Sequence, residues 1–303
     1  MLLANSGLCP GAEPIPADKQ VPMRTVHYLA APEATPLHLP TDVAVGREGR
    51  TFVADGANDR IVYFTAAGDY AGAVAQLGNV TFDQPLGIAT DNLGNLWIAD
   101  AGHRRLVCLD PNLQLRELID LPSEPNQPAD ATDVAVSNGA ARCYVVDNDN
   151  QRIMVYDRGK GTWQNLGERG KALGQFQWPF MICLGLENYL YVSEAIGARV
   201  QRINPDERWS GQLGSWGVEL GHFYRPKGLA ADRRGRLFVS DSTFGVIQIF
   251  GPWGELIGAV TGENGQIMQF QHPMGLAFDA ADLLYVVEMT AGRVAVLQPG
   301  VKQ

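Results

Sequence analysis

At five equivalent places in this chain an acidic side chain that closes an apolar run precedes an arginine by five residues: Asp55/Arg60, Asp100/Arg105, Asp147/Arg152, Glu194/Arg199 and Glu288/Arg293. A sixth acid in the series, Asp241, faces the apolar Val246 instead. A carboxylate and a guanidinium at such a spacing can brace a loop through directed, charge-assisted hydrogen bonds. Opened toward solvent, the same groups would form a ring of charged ligands. Repetition in nearly every copy favours the brace, because a working site is usually asymmetric. Residues that break the pattern are therefore the better functional clues.

The acids close six strand-like runs that read aromatic, Val or Ile, small or apolar, acid: Phe52–Asp55, Trp97–Asp100, Tyr144–Asp147, Tyr191–Glu194, Phe238–Asp241 and Tyr285–Glu288. Their acids fall at 55, 100, 147, 194, 241 and 288, so the steps are 45, 47, 47, 47 and 47. Such a period marks a repeat architecture, and several short strands per unit point to propeller blades. Upstream of each run lies a short apolar strand, such as Asp42–Val45 or Gly87–Thr90, then a turn often containing Gly. Downstream come a third strand, such as Arg152–Tyr156, and a weaker fourth, such as Ala73–Leu77. The expected fold is all-β: one six-bladed β-propeller of four-stranded antiparallel blades, spanning residues 23–303. After Val294–Leu297 too little chain remains for a fourth strand, whereas Arg24–Leu29 is strand-like and lacks a hairpin partner. Residues 24–29 are therefore expected to complete the last blade and close the ring. Residues 1–22, with Pro10, Pro14, Pro16 and Pro22, read as an extended arm. Met1–Ala4 is apolar without a basic flank, so the segment is either an export-signal remnant or an arm; periplasmic, extracellular and cytoplasmic locations all stay open.

The motifs resemble the NHL repeat family, whose units read Phe-x-x-Pro-x-Gly, then Gly-Asn-x-aromatic-x-Ala-Asp, then Arg-Ile. The second unit follows this nearly throughout, from Phe82, Pro85 and Gly87 through Gly94–Asp100 to Arg105–Leu106. Phe-x-x-Pro recurs at Phe176–Pro179, Phe223–Pro226 and Phe270–Pro273. The resemblance covers about residues 36–297 and implies a binding or scaffolding module for a protein, peptide or small ligand. Its alternative is a hydrolase or lyase with a site in the channel mouth, since fold does not fix function.

In such a ring, the loops before the first strand and between the second and third strands open on one face around the channel. The positions there are Thr41-Asp42, Leu86-Gly87, Thr132-Asp133, Phe180-Met181, Lys227-Gly228 and Met274-Gly275. Two carboxylates, Asp42 and Asp133, one cation, Lys227, and the apolar Phe180 and Met274 are the candidate binding residues of a small-molecule or peptide mouth. Against this stands ordinary turn chemistry, in which Asp satisfies nearby backbone N–H groups. A related peptide-amidating lyase carries zinc on histidines just after the Pro that opens the inner strand. Here those positions are Thr41, Leu86, Thr132, Phe180, Lys227 and Met274, so that zinc site is absent and no metal or cofactor is expected. His27, His38, His103, His222 and His272 occupy non-equivalent positions without metal-ligand spacing. Asp147–Asn150 starts like a calcium loop, but Arg152 and Arg158 stand where Gly and Glu are needed. Lactonase-like propellers hold a divalent cation in the channel on Asp, Glu and Asn; Asp42, Asp133, Glu194 and Glu288 leave that option open without a matching motif.

Composition narrows the partners. A formal net charge of −9 argues against a nucleic-acid role, and no apolar run approaches the ~20 residues a membrane-spanning helix needs. Cys9, Cys108, Cys143 and Cys183 include no C-x-x-C pair. Trp163, Trp178, Trp209, Trp216 and Trp253 lie off the shared aromatic position, as inter-blade packing or as an exposed patch for a partner or a sugar ring.

Overall fold

Each repeat folds as four antiparallel strands laid side by side from the channel outward. In blade two these are Pro85–Thr90, Leu96–Asp100, Arg105–Leu109 and Leu115–Asp120. The inner strands of the other five blades are Asp42–Val45, Ala131–Val136, Pro179–Leu184, Pro226–Ala231 and Pro273–Phe278. This computed structural model describes Leu8, residues 15–123 and residues 125–300. In blade one the expected outer strand Ala73–Leu77 is replaced by Tyr70–Val74, and Gln76–Leu77 pairs with Val80–Thr81 in a separate small hairpin. The tight turn from Thr65 to Asp69, with Gly68 in the left-handed region, returns the chain early enough for the outer strand to start at Tyr70.

The second strand of each blade is buried along its length, as in Leu96–Asp100 and Leu237–Asp241, except at Arg142, where the strand of blade three starts. Covered on both faces by neighbouring blades, it reads as a continuous apolar run instead of alternating. Six apolar clusters fill the six inter-blade gaps. Phe52 and Ile61 meet Ile88, Ile98 and Val107 between blades one and two. Val287, Val294 and Val296 meet Val43, Val53 and Val62 where blade six returns to blade one. Full burial of such a side chain contributes about 1.5–3 kcal/mol, so the ring is held by packing between blades as well as by ladders within them. No helix among the described residues is long and apolar enough to cross a membrane.

Closure uses more chain than residues 24–29. The strand Gln20–Leu29 runs antiparallel to Arg293–Pro299, from the Met23/Pro299 pair to the Leu29/Val294 pair, with a bulge between Thr25 and His27. Its first three residues pair in parallel with Ala259, Val260 and Thr261 on the outer strand of blade five. One strand thus completes blade six and covers the edge of blade five, joining them into an eight-stranded sheet. It runs unbroken through the expected boundary between 22 and 23. Pro22 fits because its carbonyl still accepts from the Gly300 amide. Further upstream, Leu8 is buried against Phe244 and Val246 of blade five; Met1–Ala4 and Cys9 lie outside the described residues.

Deleting residues 1–30 should cause a large loss of thermal stability, because two blade edges lose their ladder bonds and expose apolar surface. Deleting residues 1–18 keeps the strand and removes chiefly the Leu8 contact. Thermal melts of the two truncations compare them directly; equal midpoints would show that the strand does not close the ring.

Candidate functional site

The six acids brace the face on which the inner strands begin. Each accepts the backbone N–H of the residue seventeen positions earlier, in the segment leading to the inner strand. The distances run from 2.6 Å for Tyr224 to Asp241 up to 3.0 Å for Asp130 to Asp147. Where the arginine follows, its Nε donates to the same carboxylate at 2.6–2.8 Å. The Arg60 and Arg199 guanidinium groups reach on to carbonyls of that segment. Asp241, without an arginine, takes further N–H bonds from Arg225, Thr243 and Phe244. These carboxylates are spent on backbone and form no ring of ligands.

In the blades where Pro opens the inner strand, Pro pairs opposite the acid and a bulge follows immediately, as between Pro85 and Ile88 or between Pro226 and Leu229. Pro is tolerated at a strand's first residue, and a bulge re-aims side chains. Leu86-Gly87, Phe180-Met181, Lys227-Gly228 and Met274-Gly275 occupy these bulges.

Asp42 and Asp133 do not sit on an exposed rim. Both are buried, at 6% and 4% exposure, and their carboxyl groups hydrogen-bond each other across the channel from blades one and three. Gly87 of blade two and Gly275 of blade six leave the room: a Cβ on either would fall within 2.3 Å of a carboxyl oxygen of Asp133 or Asp42. Asp42 Oδ2 accepts from Ile88 N and Asp133 Oδ2 from Ile182 N, each at 2.8 Å, so each acid also ties its blade to the next. Burial raises both acids above the usual carboxylate range, and the charge of Asp42 raises Asp133 further. Holding a proton is therefore favoured for the pair over carrying two charges. Beyond it, toward the ends of the inner strands, lies a channel cavity of about 220 Å³ lined mainly by apolar side chains such as Val45, Val136, Leu184 and Phe278.

The other three candidates do meet. The Lys227 Nζ lies 3.0 Å from the centre of the Phe180 ring, and Phe180 packs against the apolar cluster containing the buried Met274. The Lys227 backbone is fixed by Ser193 Oγ, which donates to its carbonyl at 2.7 Å, while Ser240 Oγ accepts from Gly228 N at 2.7 Å. Burial pushes the ammonium down to about 7, with the positive charge of Arg225 adding to the effect. Neither cation enters an ion pair among the described residues.

Around Lys227 the structure joins Ile196, Tyr224 and Arg225, which the sequence reading passed over, to two of the tryptophans that it weighed as an exposed patch. Exposed apolar groups on this face gather on blades four and five: Trp178 (39%), Ile196 (51%), Tyr224 (41%) and Trp216 (69%). Ala195 N bonds the Trp178 carbonyl, which sets Ile196 beside Trp178; Trp216 and Tyr224 lie 6.5 Å apart. The Trp216 loop is pinned by backbone bonds from Phe223 to Ser215 and from Gly217 to Phe223, with Ser215 Oγ 2.9 Å from His222 Nδ1. Trp178 and Arg225 share the repeat position just before the Pro, and Asp130 stands at that position in blade three, pushed up to about 6 by burial and by Asp149 and Asp147. Trp163 and Trp209 pack on Tyr156 and Phe176, whereas Trp253 is exposed on the opposite face. His103 bonds Asp100, and no group of three or more His, Cys, Asp or Glu gathers as a metal set among the described residues. Cys108, Cys143 and Cys183 are free thiols.

Residues 82–109, the inner three strands of blade two, match the NHL repeat. No curated protein matches the chain in sequence. Among solved structures it is similar to a streptogramin B lyase, at 12% identity over 92% of this chain and 98% of that one, with a TM-score of 0.66. It is also similar to a gluconolactonase from Xanthomonas campestris, at 14% identity over 96% and 98%, TM-score 0.64. A third is a catalytically inactive variant of virginiamycin B lyase from Staphylococcus aureus with quinupristin, at 17% identity over 86% and 80%, TM-score 0.59. At these identities the likeness is one of fold: the chain is a six-bladed β-propeller. Blade two carries the NHL repeat.

Replacing Arg152 with Ala should lower stability by about 1–3 kcal/mol, because Asp147 stays buried and loses its charged donor. Denaturant unfolding measures this; an unchanged midpoint would mean that the backbone donors suffice.

The acid pair should leave a signature in the pH dependence of stability. Its carboxyls hold protons more tightly folded than unfolded, so the pair subtracts stability as pH rises from about 4 through 7. An Asp133→Asn amide donates to Asp42 without needing that proton. The melting temperature of the variant minus that of the parent should therefore climb between about pH 5 and pH 8; a flat difference would show that no proton is shared.

Proposed function

We propose that this protein is a ligand-binding propeller whose working face is the one where the inner strands begin, and that its ligand is an organic acid with an aromatic or apolar body. One observation carries the reading: Lys227 and Arg225, cations that enter no ion pair among the described residues, stand within a sector of exposed Trp178, Ile196, Trp216 and Tyr224. A carboxylate would replace the missing counter-charge where water is partly excluded, and the aromatic surface would take the apolar body. The pinned loop supports this use, since side chains held in place lose less freedom on binding. Asp42 and Asp133 act in this reading as the seam beneath the mouth, holding the bulges in register.

Calorimetric titration with phenylacetate and indole-3-acetate, alongside the neutral phenylacetamide, tests the reading. The acids should bind and the amide should bind more weakly. Trp216→Ala should weaken acid binding about tenfold, the size of a lost aromatic contact, and Lys227→Gln should erase the preference for acid over amide. Equal binding of acid and amide by the parent, or parent-like binding by both variants, would overturn it.

A further inference from the structure

The Lys227 side chain occupies an unusual place for an amine. Its backbone is clamped on both sides by the hydroxyls of Ser193 and Ser240, its stem rises from a strand bulge, and its Nζ rests on the Phe180 ring without a carboxylate partner. Lysines that serve only to bind charge are usually hydrated and mobile. A desolvated amine beside a second cation is instead the arrangement that makes a lysine nucleophilic near neutral pH. Arg225 is that second cation.

We propose that Lys227 forms an imine with the carbonyl group of a 2-oxo acid bound on this face. The inference rests on the organic-acid reading above and narrows it. The nitrogen lone pair adds to the carbonyl carbon, and a proton passes from nitrogen to the carbonyl oxygen to give a carbinolamine. A second proton, drawn from water at the open mouth, carries that hydroxyl away as water and leaves the carbon–nitrogen double bond. No oxidant or reductant is consumed. In the bound acid the carboxylate faces Arg225, the carbonyl carbon faces Nζ, and the apolar tail lies toward Trp216 and Tyr224. Burial that pushes the amine down to about 7 keeps a large neutral fraction available, whereas an exposed lysine near 10.5 would offer almost none.

The test is reductive trapping of phenylpyruvate with cyanoborohydride, read by intact and peptide mass spectrometry, with phenylacetate calorimetry in parallel. One adduct per chain, mapped to Lys227 and formed at a rate rising with pH to a plateau above about 7, is expected. Lys227→Arg should reduce trapping by about tenfold or more. Trp216→Ala should slow trapping at low phenylpyruvate and recover at high. Phenylacetate binding without a Lys227 adduct would overturn the imine and leave the organic-acid reading standing. An adduct at Lys227 that excess phenylacetate does not protect would overturn the organic-acid reading, and with it this use of the lysine. Adducts spread evenly over the chain's lysines would overturn the imine as a property of the site.

Discussion

The hydrogen bond on which the rest of this ring depends joins a buried carboxylate to a backbone N–H seventeen residues upstream. It is made six times, and each time it fastens the incoming segment against the end of the second strand. Only with that segment fixed can the chain enter the inner strand at Pro, bulge, and turn its next side chains to the channel. The arginine strengthens the anchor where present, but Asp241 shows that backbone donors alone can serve. Five of the braces are ion pairs whose acids have no exposed surface or nearly none. Such pairs contribute through geometry more than through net Coulomb energy, because desolvation offsets much of the attraction.

Most of the scaffold could be read from residue types in order. The acid, the aromatic three positions before it and the Phe-x-x-Pro recur so regularly that six blades follow from spacing alone. The unpaired run at Arg24–Leu29 signalled closure, because a strand without a partner must find one. Its extension back to Gln20 was not legible: the parallel pairing with blade five depends on how closely two outer edges approach, which no local pattern encodes.

The candidate site divides along the same line. Lys227, Phe180 and Met274 stand at one repeat position, and their convergence follows from ring symmetry. The burial of Asp42 and Asp133 did not follow, because their contact joins blades that are not neighbours and depends on the width of the channel. It also requires glycine at 87 and 275, residues that look like ordinary turn punctuation in sequence. Trp178 and Arg225 precede the Pro, two places before Phe180 and Lys227. The reading along the repeat began after the Pro and so left that position out.

The closing strand has a consequence for the order in which this molecule can be made. Gln20–Leu29 leaves the ribosome long before its partners at 259–261 and 293–299. Until then a ten-residue β-strand and two growing blade edges stay unpaired, and contacts spanning nearly the whole chain are slow to form. Blades one to four can gather early around their shared apolar gaps, while blades five and six, including the arginine and lysine beside the mouth, settle only when the two ends meet. A nascent chain stalled within the last blade would therefore carry a nearly complete ring with its seam open, a species primed to borrow the missing strand from a neighbouring chain.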